Sequence, residues 1–81
     1  MTEEFLFKFW FQRRHDAEKL VNDPTGMFPH LRAFLALKEE SWGLTSDENI
    51  AILYSVKQGM YKIVEGVHPT FGTAGYDLVI L

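Results

Sequence analysis

The phenylalanines between positions 5 and 11 recur at every second residue. That alternation is typical of a half-buried strand, and aromatic side chains favour strands. Two glutamates precede the segment and two arginines follow it, however, which is the charge order that a helix dipole favours, and Thr2 is available as an N-cap. We therefore predict a helix over residues 2–14, with a strand as the alternative.

The next two segments have the spacing of short amphipathic helices. One helix is predicted over residues 16–21, where the Asn-Asp-Pro turn signal at 22–24 ends it. A longer helix is predicted over residues 28–40, with Pro29 in its first turn and Gly43 as its C-terminal stop.

Thr45 and Glu48 give the clearest local signal, because their spacing matches a capping box, in which each side chain accepts a hydrogen bond from the other residue's backbone N–H. A fourth helix should begin there and be interrupted at Gly59. A short fifth helix is predicted from residue 60 to Gly66, since Pro69 prevents easy continuation. The residues expected to pack in the core are Phe5, Phe9, Trp10, Leu31, Phe34, Leu35, Ile50 and Leu53.

Residues 70–81 differ in composition from the chain before them. Small residues at 72–75 form a joint, and the chain ends in Leu78-Val79-Ile80-Leu81. Such a segment is a closing strand, a tail docked on the core, or a peptide presented to another protein. The pattern as a whole predicts an all-α fold: a bundle of about five short helices over residues 1–69, followed by an extended or flexible tail.

Composition narrows the class of protein. The chain has 81 residues, 47% of them hydrophobic, a formal charge of −3 and no cysteine. The absence of cysteine excludes disulfide frameworks and thiolate metal sites. The negative charge disfavours a general nucleic-acid binder. The Met-Thr-Glu-Glu start does not resemble a signal peptide, and no apolar run is long enough to span a bilayer, so we expect a cytoplasmic protein with no membrane contact.

Residues that could carry chemistry do not form a recognisable site. His15, His30 and His68 lie in different segments, without the spacing that places two imidazoles on one helix face. His68 precedes a proline and is interpreted as a solvated or capping residue. Neither a phosphate-binding loop nor a nucleophile elbow is found. We predict no catalytic, cofactor-binding or metal-binding residue, and therefore no enzyme.

Two motifs, Leu-Thr-Ser-Asp-Glu at 44–48 and Glu-Gly-Val-His-Pro at 65–69, resemble the LigA-like helical domain of LigAB-type extradiol dioxygenases. The order of the predicted parts also resembles that family from about Phe5 to Pro69. In those enzymes the large subunit holds the iron ligands, so the resemblance implies a small accessory subunit without catalytic residues. A large dioxygenase subunit would then be the partner.

The same helical fold resembles the recognition domain of borosin precursors, which are ribosomal peptide natural products. That resemblance implies a leader that docks on a SAM-dependent backbone N-methyltransferase and presents its C-terminal core for methylation. The aliphatic tail suits such a core because a backbone amide needs no functional side chain to be a substrate. The implied modified residues are Leu78, Val79, Ile80 and Leu81.

Three hypotheses follow from the sequence. The first is the borosin-like precursor, in which the helical domain binds the methyltransferase and tethers the tail near its active site. The second is the accessory subunit of an extradiol dioxygenase. The third is a helical interaction module whose tail completes its own core.

Overall fold

The computed structural model describes residues 7–81, and the start of the first predicted helix, with Phe5, lies outside them. Its elements in chain order are strand β1 (Phe7–Phe11), helix α1 (Arg14–Val21), helix α2 (Pro29–Trp42), helix α3 (Ser46–Lys57), strand β2 (Tyr61–Val67) and strand β3 (Ala74–Ile80). The described chain is therefore an α+β fold, and the prediction of an all-α bundle with about five helices is wrong.

The three strands form an antiparallel sheet in the order β1-β3-β2. The last strand of the sequence is thus the central strand of the sheet. One row across the sheet consists of Phe9, Leu78 and Ile63, and the next consists of Trp10, Asp77 and Val64. Because side chains alternate along a strand, the first row faces the helices and the second faces the opposite side, which we call the outer face.

Two segments of the predicted bundle are strands, and the predicted tail contains a third strand. Residues 7–11 form β1, so their alternation outweighs the flanking charges that favoured a helix. Residues 61–67 form β2 in place of the predicted fifth helix. The tail, predicted to be extended or flexible, contains β3, whose backbone pairs with a neighbouring strand on each side.

The core lies between the sheet and the helices. Leu78 and Ile80 of β3 are fully buried there, together with Leu31 and Leu35 of α2 and Ile52 of α3. The predicted core residues Phe9, Leu31 and Leu35 are buried, and Phe34 and Leu53 pack against them partly buried. The prediction is wrong for Ile50, which is 64% exposed. It is also wrong for Trp10, which lies on the outer face.

The capping box at the start of α3 is confirmed. The Thr45 hydroxyl accepts a hydrogen bond from the Glu48 backbone N–H at 3.1 Å, and the Glu48 carboxylate accepts one from the Thr45 N–H at 3.1 Å. This pair satisfies two of the N–H groups that a helix start otherwise leaves without partners. The helix ends before Gly59, whose φ of +75° turns the chain into β2.

The turn between α1 and α2 is organised by Asp23. Its carboxylate accepts hydrogen bonds from the Thr25 hydroxyl (2.7 Å) and the Thr25 N–H (2.9 Å), and also from the Phe28 N–H. Phe28 is buried with a φ of +49°, in the left-handed region that side chains rarely adopt. The hydrogen bond from the Thr25 hydroxyl, aided by the backbone N–H groups, lowers the pKa of the Asp23 carboxyl.

Candidate docking groove

The residues predicted to be modified lie in the sheet or directly after it. Leu78 and Ile80 are 0% exposed and Val79 is 5% exposed. The chain end is also anchored, because the Leu81 N–H donates to the Met60 carbonyl at 2.9 Å and the Ser55 hydroxyl donates to the Leu81 carbonyl at 3.0 Å. Methylation of these residues stays a prediction, and it would require β3 to leave its place between β1 and β2.

On the outer face, the Trp10 indole reaches across the sheet from β1 towards β2. Its Nε1 donates to the Gly66 carbonyl at 3.4 Å. A Cβ added at Gly75 of β3 would lie 2.6 Å from the Trp10 ring and 2.5 Å from the Phe11 carbonyl oxygen. The absence of a side chain at Gly75 therefore gives the indole its place over the central strand, and one aromatic residue spans all three strands.

Asp77 occupies the centre of the same face and is only 8% exposed. A Cβ at Gly66 would collide with the Asp77 carboxylate, so the glycine of β2 provides room for the acid of β3. The two glycines pair directly with each other across the ladder. They consequently create the space for Trp10 and for Asp77.

His68 holds the loop between β2 and β3 against this indole. Its Nδ1 accepts hydrogen bonds from the Thr70 N–H (3.1 Å) and the Phe71 N–H (3.0 Å), which confirms its interpretation as a capping residue. The imidazole meets the Trp10 ring edge to face, with 4.9 Å between ring centroids, and stacks on the Phe71 ring at 4.7 Å. The loop is thereby fixed beside the outer face.

On the helix side of β1, side chains of α2 form a second aromatic cluster, separate from the one around Trp10. The Phe9 ring packs edge to face on Phe34, with centroids 5.1 Å apart, and stacks on Trp42 at 5.7 Å. The Lys38 ammonium lies 4.0 Å from the centroid of the Trp42 ring and 5.1 Å from that of Phe34, which is cation–π distance. Trp42 itself is 58% exposed.

These two aromatic groups line one groove of about 410 Å³ around β1, which we call the β1 groove. Its outer side contains Trp10, His68 and Asp77, and its helix side contains Phe34, Lys38 and Trp42. Lys8 of β1 also lines it. Because β1 pairs with β3 alone among the described residues, the other edge of its backbone faces away from the sheet.

A second, more open depression of about 610 Å³ lies at the end of the sheet, lined by residues that include Gln12, Glu65 and Tyr76. It holds no group of side chains that suggests a reaction. Within residues 7–81, no set of three His, Asp or Glu side chains is placed to hold a metal ion.

Sequence reasoning missed the β1 groove. It placed Trp10 in the core and did not single out Trp42 or Lys38. One signal was present in the alternation of the first segment, since a strand that buries Phe9 must direct Trp10 to the opposite face. The contribution of α2 had no local signal.

Comparisons of the chain with protein-family models, with curated proteins and with solved structures found no significant match. No helix within residues 7–81 is long and apolar enough to cross a membrane.

Proposed function

We propose that this chain is a non-catalytic protein-binding domain that captures an extended segment of a partner protein along the edge of β1 that no other strand within residues 7–81 pairs with. The observation that carries the proposal is the β1 groove, which has binding surface on both sides of an edge strand. The proposal develops the third hypothesis, the interaction module whose tail completes its own core.

An edge strand presents unpaired N–H and C=O groups that an incoming strand can bind, and this mode of recognition is common among peptide-binding domains. Main-chain hydrogen bonds then supply much of the affinity. The backbone N–H and C=O groups of β1 belong to a strand that is held in place by Phe9, which is 1% exposed and packed in the core. The edge is therefore preorganised, which lowers the ordering cost of binding.

Side chains of an added strand alternate between the two faces of the sheet. Those on the helix side would meet Trp42 and Phe34, and those on the outer side would meet Trp10 and His68. Aromatic side chains of this kind dominate the energetics of protein interfaces. The residues for both sets of contacts line the β1 groove, so a bound segment would bury apolar side chains on each side.

The charges of the groove indicate the chemistry of the segment. Lys8 is exposed at the edge and Lys38 lies above the Trp42 ring, whereas the carboxylate of Asp77 is buried beneath the outer surface. The accessible charges of the described groove are thus positive. We expect a segment in which apolar residues are flanked by Asp or Glu.

The two hypotheses that rest on the LigA-like resemblance receive less support. Both assume a helical domain, and the precursor hypothesis also assumes a tail free to enter another protein's active site. The fold of the described residues is α+β, and the tail holds the central strand. A protein-binding role keeps the non-enzymatic character of both hypotheses without requiring β3 to leave the sheet.

Selection from a displayed library of random peptides tests the proposal. The full chain is immobilised at low density, and counter-selection uses its Trp42→Ala variant. Tyr54→Ala is the matched control, because Tyr54 is an exposed aromatic residue of α3 outside the groove, 61% exposed against 58% for Trp42. Thermal unfolding first establishes that both variants are folded.

We expect peptides with alternating apolar and acidic residues to be enriched. Trp42→Ala should weaken the binding of an enriched peptide by about tenfold, and Tyr54→Ala should leave it within about twofold. Amide shift changes in the labelled protein should map to β1 and the second half of α2. No enrichment over the Trp42→Ala variant, or equal losses in the two variants, would overturn the proposal.

A further inference from the structure

We infer that the segment bound along β1 contains an apolar residue directly followed by an Asp or Glu, and that Lys8 is the residue that selects the acid. The segment runs antiparallel to β1, with its apolar residue opposite Phe9 and its acidic residue opposite Lys8. This inference rests on the proposed function and adds to it the register, the direction and the cation that determines specificity.

Hydrogen bonds at both ends of the β2–β3 ladder show which backbone groups of β3 face each neighbour. The Leu81 N–H donates to the Met60 carbonyl at 2.9 Å, and the His68 N–H donates to the Thr73 carbonyl at 2.8 Å. Both pairs continue the register of the ladder. Because bonded and non-bonded pairs alternate in an antiparallel ladder, the odd-numbered residues of β3 bond to β2, and its even-numbered residues face β1.

The even-numbered residues of β3 lie opposite Phe7, Phe9 and Phe11 of β1. The backbone N–H and C=O groups of these three residues are therefore bonded to β3, and those of Lys8 and Trp10 point to the other edge. No strand within residues 7–81 pairs with that edge. An incoming strand bonds to Lys8 and Trp10, and its side chains opposite these two residues lie on the outer face.

The residue of the segment between those two lies opposite Phe9, and its side chain points to the helix side. Phe9 is 1% exposed, but the Trp42 ring that stacks on it, with centroids 5.7 Å apart, is 58% exposed. An apolar side chain in this position packs on the exposed part of the Trp42 ring and removes it from water. The helix side of the β1 groove therefore selects an apolar residue.

The acid is selected on the outer face, because Lys8 is exposed and forms no ion pair with an acidic side chain of residues 7–81. The Asp77 carboxylate occupies the space that a Cβ at Gly66 would fill, on the β2 side of the central strand and therefore away from Lys8. Lys38 is half-buried, and its ammonium is already placed 4.0 Å from the centroid of the Trp42 ring. A carboxylate at the edge of β1 consequently binds Lys8.

The order of the two residues follows from the direction of the segment. An antiparallel segment, read from its N-terminus, passes Trp10, then Phe9, then Lys8, so the acid comes directly after the apolar residue. A parallel segment would have the opposite order, and parallel pairing is slightly less stable per residue. An acid bound by Lys38 would lie on the same face as the apolar residue, two positions from it.

A synthetic peptide with blocked ends and the sequence Val-Thr-Val-Glu-Val tests the inference in an NMR titration of the full chain. Its matched controls are Val-Thr-Val-Gln-Val, which removes the charge, and Val-Glu-Val-Thr-Val, which reverses the order. The peptide with Glu in the fourth position should bind about fivefold more tightly than either control.

Three variants of the chain show which lysine selects the charge, once thermal unfolding has established that they are folded. Lys8→Gln should make the affinities for the Glu and Gln peptides equal within about 1.5-fold, because the pairing partner of the carboxylate is lost. Lys38→Gln should keep the preference for Glu. Lys57→Gln is the control for net charge, since Lys57 is an exposed residue in the last turn of α3, outside the groove.

Methylation of single peptide amides tests the direction. In the antiparallel register the Glu N–H donates to the Lys8 carbonyl, so a methyl group on this nitrogen should weaken binding by about tenfold or more. The N–H of the preceding Val points away from β1, and its methylation should cost no more than about threefold. A parallel segment would show the reverse order of sensitivity.

A preference for Glu that persists in Lys8→Gln, or is lost in Lys38→Gln, would overturn the inference, and so would the reverse order of methyl sensitivity. In each case binding of the peptide would still support the proposed function. Failure of this peptide to bind, when other library peptides bind to β1, would also overturn the inference alone. Failure of every peptide would contradict the proposed function, and the inference with it.

Discussion

Replacement of Leu78 by alanine tests whether the C-terminal segment is part of the scaffold. Leu78 is 0% exposed, in the central strand between Phe9 and Ile63. Truncating a fully buried leucine costs about 2–5 kcal/mol, from lost burial and from the cavity left behind. An 81-residue domain has a total stability of about 4–12 kcal/mol. Leu78→Ala should therefore remove a large part of it and lower the Tm by about 10–30 °C.

The control is Val67→Ala at the end of β2. Val67 is 62% exposed, so its truncation should change stability by no more than about 0.5 kcal/mol. Urea titration and thermal unfolding, both followed by circular dichroism, measure the two variants. If Leu78→Ala unfolded at the same midpoint as Val67→Ala, residues 76–81 would not be core, and the presented-tail hypothesis would regain its premise.

Three further predictions concern the loops and the outer face. Gly75→Ala should destabilise the domain by about 1–3 kcal/mol in urea titration, because the added Cβ meets the Phe11 carbonyl as well as the Trp10 ring; a neutral effect would show that the indole does not lie over β3. His68→Ala should lose more stability than His68→Asn, since asparagine can still accept from the two N–H groups that Nδ1 now binds; equal losses would assign the effect to ring stacking alone. Hydrogen bonds lower the pKa of Asp23 in the folded state, so its contribution to stability is present above the unfolded pKa and is lost as the pH falls below about 4. A plot of Tm against pH should be flatter at its acidic end for Asp23→Asn, and parallel curves would contradict that assignment.

The helices could be predicted because their signals are local. The capping box at Thr45 marks the start of α3, and Pro29 and Gly43 bracket α2, so sequence and structure agree there within a few residues. These signals depend on groups three or four positions apart. Tertiary packing reinforces them without changing the element.

The sheet could not be derived in the same way. The alternation of β1 was visible, but its decisive support comes from Tyr76 to Ile80, about seventy positions later in the chain. The segment that forms β2 has apolar residues compatible with either element, and its pairing with β3 decides the outcome. The apolar residues of the tail indicate a central strand only when β1 and β2 are known to pair with it on either side.

The candidate site could not be predicted from the sequence for the same reason, because it depends on segments that are distant in the chain. The β1 groove combines β1 with the end of α2 and with the loop at His68, and no local motif joins these segments. Trp10 was interpreted as core because large aromatic side chains usually are buried. The alternation along β1 directs it to the face opposite Phe9. The absence of a side chain at Gly75 then gives the indole room over β3.

Residue-resolved amide hydrogen exchange, measured by NMR, tests the central claim most directly. Antiparallel pairing on one side protects every second N–H, and pairing on both sides protects consecutive ones. The account predicts slow exchange at each successive amide from Asp77 to Ile80, and alternating slow and fast exchange along Phe7–Phe11. Uniformly fast exchange over the last residues would contradict a central β3, and uniformly slow exchange over β1 would contradict a free edge.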